Sequence, residues 1–93
     1  MHLIDKQLTE YEFEMLAKAG SDLIERMVLQ RIRVYGDESE DLINDVIEYA
    51  KASARHPFYV KKDYQQATLY FAAPIDIENV KNFMSTHAKN IES

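Results

Sequence analysis

Residues 58–73, FYVKKDYQQATLYFAA, hold five of the ten aromatic residues of the chain and its clearest strand-like pattern. Phe58 and Val60 alternate with Tyr59 and Lys61, and Leu69 and Phe71 lie in a second alternating run. A period of two predicts a strand with one buried face. The polar residues 62–66 between the runs predict the connection of an antiparallel β-hairpin, although no Asn-Gly or Asp-Gly marks the turn. Because a lone hairpin is barely stable in water, we expect helices to cover it.

Length and composition set the class of protein. A chain of 93 residues predicts a single domain over residues 1–93, and an apolar fraction of 46% is enough for a core. The absence of cysteine excludes disulfides, thiolate catalysis and cysteine-ligated zinc. No signal peptide and no apolar run of about 20 residues is present, so we expect a cytoplasmic protein without a membrane span. The initial Met1 suggests a complete natural chain.

A helical pattern covers residues 9–35. Thr9 and Glu12 form a capping box, and mostly apolar residues then recur at spacings of three and four. Gly20 either tolerates a close helix contact or ends a first helix near residue 19, and a second capping box at Asp22 and Glu25 favours a break. The sequence leaves this choice open.

Residues 30–35, QRIRVY, allow two interpretations. Ile32 and Val34 alternate with Arg31 and Arg33, so this run could be a strand that joins the hairpin. Gly36 fits either a helix C-terminus or a turn. We favour a helix, because the apolar stripe before it continues without a change of phase.

Two further helices flank the hairpin. The first spans about residues 39–55, with an apolar stripe of Ile43, Val46, Ile47, Ala50 and Ala54, and ends before Pro57. The second begins after Asp76 as the N-cap. Its apolar face is formed by Ile77, Val80, Met84, Ala88 and Ile91, with Phe83 at the edge. The predicted fold is therefore α+β, with three to four helices packed on a small antiparallel β-hairpin in the order α-(α)-α-β-β-α.

Charge is distributed unevenly along the chain. Residues 1–50 carry twelve acids and five bases, whereas residues 51–93 carry four acids and six bases. The acidic half argues against nonspecific binding to nucleic acid or to anionic lipid. Its densest part is an acidic cluster of Asp37, Glu38, Glu40 and Asp41, which either docks a partner or stabilises the N-terminus of the following helix, and we favour the second interpretation.

A basic segment lies before and within the hairpin. Lys51, Arg55, Lys61 and Lys62 fall within twelve residues that contain no acid and that include Tyr59. Such a segment suits single-stranded nucleic acid, an acidic protein surface, or simply a solvated face whose lysine stems cover apolar area.

The chain has six tyrosines and no tryptophan. Tyr59 and Tyr70 are expected on the hairpin face opposite Phe58 and Phe71, and Tyr64 has no assigned partner. Exposed tyrosines in a group are typical of protein interfaces, unless both faces of the sheet are covered within the monomer. The open edges of a hairpin would also pair with a second copy, so we expect a homodimer.

The sequence lacks the patterns of an enzyme. No histidine has a second ligand at helical spacing, and two glycines cannot form a phosphate-binding loop. His56 with Asp63 across the hairpin is the one acid–base pair worth naming, and no nucleophile accompanies it. We therefore predict no catalytic residue, no metal and no cofactor.

The function predicted from the sequence is a non-catalytic protein-binding module, a small regulator, adaptor or inhibitor of a larger protein that also self-associates. The alternative is a small nucleic-acid-binding protein that uses the basic and aromatic residues of segment 51–62.

Overall fold

The fold is α+β, with four helices and an antiparallel sheet. The computed structural model describes the backbone of residues 7–35, 40–87 and 91–92, and the side chains of residues 7–35 and 42–86. In chain order the elements are α1 (Glu10–Lys18), α2 (Asp22–Leu29), β1 (Arg31–Tyr35), α3 (Glu40–Ser53), β2 (Phe58–Asp63), β3 (Gln66–Phe71), α4 (Pro74–His87) and β4 (Ile91–Glu92). The predicted α+β class is confirmed, and the element order is roughly as predicted, with strands β1 and β4 added to the hairpin to form a sheet.

The sheet is built around β3. Its strand order is β2-β3-β1-β4, with every neighbouring pair antiparallel. The predicted hairpin is present with Phe58 opposite Phe71 and Asp63 opposite Gln66. Residues 64 and 65 form its turn, where Gln65 has a φ of 59°. The polar connection is therefore shorter than the predicted residues 62–66.

The preferred helix over residues 30–35 is wrong, because Arg31–Tyr35 form strand β1. Ile32 and Val34 are fully buried against the sheet core, whereas Arg31 and Arg33 between them are exposed. Gln30 ends the preceding helix, and its side-chain Nε2 donates to the carbonyl oxygens of Phe71 and Ala72 at 3.1 Å each. This amide ties the start of β1 to the end of β3 and so favours the alternating pattern over the helical one.

Gly20 breaks the first helical region into two helices. Its φ of 72° is a left-handed conformation that ends α1 at low steric cost. Ser21 then caps α2, because its hydroxyl oxygen accepts from the backbone N–H of Leu23 at 3.1 Å. Asp22 is the first helical residue, not the predicted cap. The capping box of Thr9 and Glu12 is confirmed.

The main core lies between one face of the sheet and the helices α3 and α4. The sheet contributes Ile32, Val34, Phe58, Ala67, Leu69 and Phe71, and the helices contribute Ile43, Val46, Ala50, Ile77, Val80 and Met84. The predicted apolar stripes of both helices therefore face this core. At the rim of the core the rings of Tyr49 and Phe83 stack with centroids 4.4 Å apart.

Two predicted positions of the last helix need correction. The helix begins at Pro74, so Asp76 is in its first turn and is not the N-cap. Ile91 belongs to β4, where it pairs with Val34, and not to the apolar face of the helix. Ala88 lies outside the described residues.

The buried carboxylate of Asp76 joins three elements. It is 1% exposed and accepts the backbone N–H groups of Arg55 at 3.2 Å and His56 at 3.0 Å. These amides follow the end of α3 and precede β2, so the side chain fixes the loop between them to the start of α4. Buried N–H groups without an acceptor are costly, and charge-assisted bonds of this kind are strong.

We predict that Asp76→Ala lowers the free energy of unfolding by about 2–4 kcal/mol, because it leaves two backbone donors without an acceptor and opens space in the interior. Urea denaturation of the two proteins measures the difference. Glu78→Ala, an exposed position in the same helix, is the matched control and should change the value by less than about 0.5 kcal/mol. Equal effects of the two substitutions would contradict the role given to Asp76.

Candidate functional site

The second face of the sheet is covered by a thin layer formed by α1 and α2. These helices have nine and eight residues, whereas α3 and α4 on the opposite face have fourteen each. α1 lies over β2 and α2 lies over β3. Among the described residues this second core has three buried members, Ile24, Met27 and Tyr59, of which only Met27 is fully buried. The layer therefore buries much less apolar area than the layer on the opposite face.

No residue of α1 is fully buried. Its main anchor is Phe13, whose ring stacks on Tyr59 with centroids 4.2 Å apart and lies 5.5 Å from the ring of Tyr70. Leu16 packs beside it but is only partly buried. On the outer side of the same helix, Tyr11 is 71% exposed and Met15 is 48% exposed. The helix thus presents apolar area on two sides and buries neither completely.

A groove of about 430 Å³ lies between the C-terminal end of α1 and the outer face of α2. Its lining is mostly apolar, and Glu25 is its one charged member. The lining residues are Ala17, Gly20, Ser21, Ile24, Glu25, Val28 and Leu29. Leu29 is 83% exposed and Val28 is 38% exposed, so one end of the groove is formed by exposed apolar side chains. We call these seven residues the α1–α2 groove.

The α1–α2 groove is absent from the sequence-based site. Its signal was present, because Ile24, Val28 and the residues beside them recur at helical spacing on a short helix. The helical stripe expected over residues 9–35 runs through Gly20 and includes neither Ile24 nor Val28, and the sequence leaves a break at Gly20 open. Only the break at Gly20 separates α1 from α2 and places the outer face of α2 toward solvent.

The predicted tyrosine site is divided by the structure. Tyr59 is 8% exposed and packs under α1, and Tyr70, opposite it on β3, is partly buried. Their predicted side of the sheet is confirmed, and both faces of the sheet are covered within one chain. Tyr64, in the turn between β2 and β3, is 86% exposed. Of the three predicted contact tyrosines, this one alone has a ring that is largely exposed to solvent.

The basic segment is divided in a similar way. Neighbours on a strand point to opposite faces, so Lys61 lies on the α1–α2 side of the sheet and Lys62 on the α3 side. Lys62 Nζ is 3.4 Å from Asn44 Oδ1 on α3. Lys51 Nζ is 3.5 Å from Glu48 Oε2, and the backbone of Arg55 is held by Asp76. These four bases therefore do not form one surface with Tyr59.

The acidic cluster falls at the margin of what the structure describes. Asp37 and Glu38 lie outside the described residues. Glu40 and Asp41 are in the first turn of α3, and their side chains are outside the description. Acidic residues in a first turn are stabilised by the helix dipole, which is the interpretation that we favoured.

His56 pairs with Asp76, not with Asp63. Its Nδ1 is 3.3 Å from Asp76 Oδ2, and its side chain is about half exposed. Asp63 lies at the other end of β2, five residues from Phe58, and at about 3.3 Å per residue the extended strand carries it out of reach. Because the carboxylate of Asp76 also binds two backbone amides, it serves as a structural acceptor for this loop.

The part of the chain that the structure describes contains neither a metal-binding cluster nor a membrane-spanning helix. Among the side chains that the structure describes, those of residues 7–35 and 42–86, no group of three or more from histidine, aspartate and glutamate is placed to hold a metal ion. Within residues 7–35, 40–87 and 91–92, no helix has the length and apolar content needed to cross a membrane.

Comparison with known proteins adds no relative. No protein family, no curated protein and no solved structure matches this chain. Any statement about function must therefore be derived from the residues and their geometry.

Tyr59 also has a measurable electrostatic property. Burial raises the pKa of its hydroxyl above the ordinary value of 10.0, and the nearby carboxylates of Glu10 and Glu14 raise it further. Both effects disfavour the phenolate, because a charge would lose hydration and meet like charges. The pKa of Tyr59 therefore reports whether α1 covers the sheet.

We predict that the free energy of unfolding falls as the pH rises above 10, because the unfolded chain ionises Tyr59 before the folded protein does. Below pH 10 both states keep the proton and the contribution is unchanged. Urea denaturation between pH 8 and pH 11 should show a shallower alkaline loss for Tyr59→Phe than for the unsubstituted protein. Tyr64→Phe, at an exposed ring, should follow the unsubstituted protein. Identical curves for all three would contradict a Tyr59 buried beneath α1.

Proposed function

We propose that this chain is a non-catalytic protein-binding module, a small regulator, adaptor or inhibitor of a larger protein, and that it binds through the α1–α2 layer. The observation that carries the proposal is the α1–α2 groove, which combines a mostly apolar lining with the largely exposed side chain of Leu29. Contiguous exposed apolar area rimmed by polar residues is typical of interaction sites.

The energetics of the layer support this choice. Burial of apolar area stabilises by about 25 cal/mol per Å². Three apolar side chains remain partly or largely exposed while the chain is alone, namely those of Leu29, Val28 and Met15. They therefore lack part of the stabilisation that full burial would give. A partner seated on the α1–α2 layer would bury these side chains without any change in the main core under α3 and α4. The sheet then serves as a rigid platform for the contact.

Nucleic-acid binding is less well supported by the geometry. That function needs a base-stacking ring beside a row of cations. Tyr59 stacks on Phe13 and is buried, and Lys61 and Lys62 lie on opposite faces of the sheet. Segment 51–62 therefore lacks the single surface that the alternative requires.

Self-association through the sheet edge stays a prediction. Among the described residues, β2 is an outer strand, and the backbone N–H of Leu8 bonds to Phe58 O at 2.8 Å and covers only its first residue. The rest of the edge includes Lys61, Lys62 and Asp63, all exposed. Charged residues at an edge, lysine above all, are a common protection against strand pairing. For this reason we place the contact on the α1–α2 layer and not on β2.

Site-specific photo-crosslinking in the cells that naturally produce the protein tests the proposal. We predict that a photoreactive residue at Leu29 forms a discrete protein adduct, because this position borders the groove and is exposed. The same residue at Ile75, which is 56% exposed on α4 on the opposite side of the sheet, is the matched control and should form no such adduct. Mass spectrometry identifies the attached species.

The other outcomes either contradict the proposal or change the partner that it assigns. Adducts of equal yield at both positions would mean that Leu29 marks no specific surface. An adduct to RNA or DNA would favour the nucleic-acid alternative. An adduct with a second copy of the chain would keep protein binding and assign the layer to self-association.

A further inference from the structure

We infer that the occupant of the α1–α2 groove is a short amphipathic helix of another protein, with basic residues flanking its apolar face. This inference rests on the proposed function and adds the chemical class of the partner. It follows from three properties of the groove, namely its length, its incomplete apolar walls and the sign of the charges around it.

The length of the groove fits a helical partner. At 1.5 Å per residue, the eight residues of α2, which supplies most of the groove lining, extend about 12 Å. Apolar side chains at positions i, i+4 and i+7 of a helix span about 10–11 Å along its axis. A partner of two to three turns would therefore place three apolar side chains along the groove and need no further surface.

The walls of the groove are those of an incomplete helical layer. Ala17 and Gly20 are small residues at the end of α1, and they let another backbone approach closely. Leu29 and Val28 on α2 supply exposed apolar side chains beside them. A third helix laid between these walls would bury both side chains, as helices α3 and α4 already do for the opposite face.

The charges around the groove select a basic partner. Residues 7–29, which include both helices, carry five acids and two bases. Glu25 lines the groove, and Glu14 and Glu10 lie about one and two turns before Ala17, respectively, along α1. Arg31 is close to the far end, where its Nη1 donates to Val28 O at 2.7 Å and caps α2. The helical walls therefore attract lysine or arginine on the flanks of a bound helix.

The same charges disfavour a second copy of this chain in the groove. A symmetric dimer would place the same patch of each copy against itself. Glu25, Glu14 and Glu10 of one copy would then face the acidic patch of the other, and like charges across an interface are repulsive. The groove is suited to a different protein.

Two synthetic helical peptides of sixteen residues test the inference. Both carry leucine at three positions spaced i, i+4 and i+7. One has lysine at the flanking positions and the other has glutamate there. We predict that the full chain binds the lysine peptide at least tenfold more tightly than the glutamate peptide at 50 mM salt. The difference should shrink at 500 mM salt, because salt screens exposed charges. Fluorescence anisotropy of labelled peptides gives both dissociation constants.

Variants of the protein locate the site. Leu29→Ser should weaken the lysine peptide at least fivefold, because an exposed apolar anchor is lost while the fold is kept. Glu25→Gln should reduce the preference for the lysine peptide, because it weakens the attraction for lysine and relieves the repulsion of glutamate. Ile75→Ser, at an exposed position of α4 on the opposite side of the sheet, should leave both affinities unchanged.

The outcomes separate this inference from the proposed function. Equal affinities for the two peptides would overturn the inference that the partner is basic. If Leu29→Ser then weakened the binding of both peptides, the groove would still be an apolar docking site. Absence of binding by either peptide would overturn a helical occupant, and the crosslink at Leu29 would still decide whether the layer binds protein. Binding that is insensitive to Leu29→Ser would overturn the groove as the site.

Discussion

The constraint on which this structure depends is the burial of β3 on both of its faces. Leu69, Ala67 and Phe71 point into the main core, while Thr68, on the opposite face, is only 7% exposed and Tyr70 is partly buried. β3 lies between β2 and β1, and a single layer of helices can bury only one of its two faces. α1 and α2 supply the second layer. The break at Gly20 lets the chain change direction between them, so that α1 lies over β2 and α2 over β3, which one long straight helix could not do.

The two layers differ in how completely they perform this task. The α3–α4 layer encloses a continuous core that includes Phe58, Phe71 and Met84 without exposure. The α1–α2 layer is held mainly by the stack of Phe13 on Tyr59 and by Ile24 and Met27. Stability is seldom uniform across a small domain, and binding surfaces are often drawn from its less stable parts. The domain therefore combines a well-packed sheet and α3–α4 layer with an α1–α2 layer whose outer side remains partly exposed and apolar.

Much of the fold follows from local patterns, and what was missed depends on distant contacts. The hairpin, the stripe of α3 and the capping box at Thr9 could be predicted because each is encoded within a few neighbouring residues. Strand β1 could not, because Ile32 and Val34 satisfy two periodicities and only their pairing with Leu69 and Ala67 decides between them. The same limit applies to the site. Whether Tyr59 meets solvent depends on Phe13, forty-six residues away in sequence, and the α1–α2 groove depends on a turn whose occurrence the sequence left open.

The α1–α2 layer is incomplete, and we expect it to be less stable than the sheet on which it lies. Native-state hydrogen exchange of the chain alone measures this difference, because it gives an opening free energy for each protected amide. We predict that the amides of α1 and α2 open together at a lower free energy than those of β3 and α4, whose opening should match global unfolding. A single opening free energy shared by all four elements would contradict this prediction, because the α1–α2 layer would then be as integral to the domain as the main core.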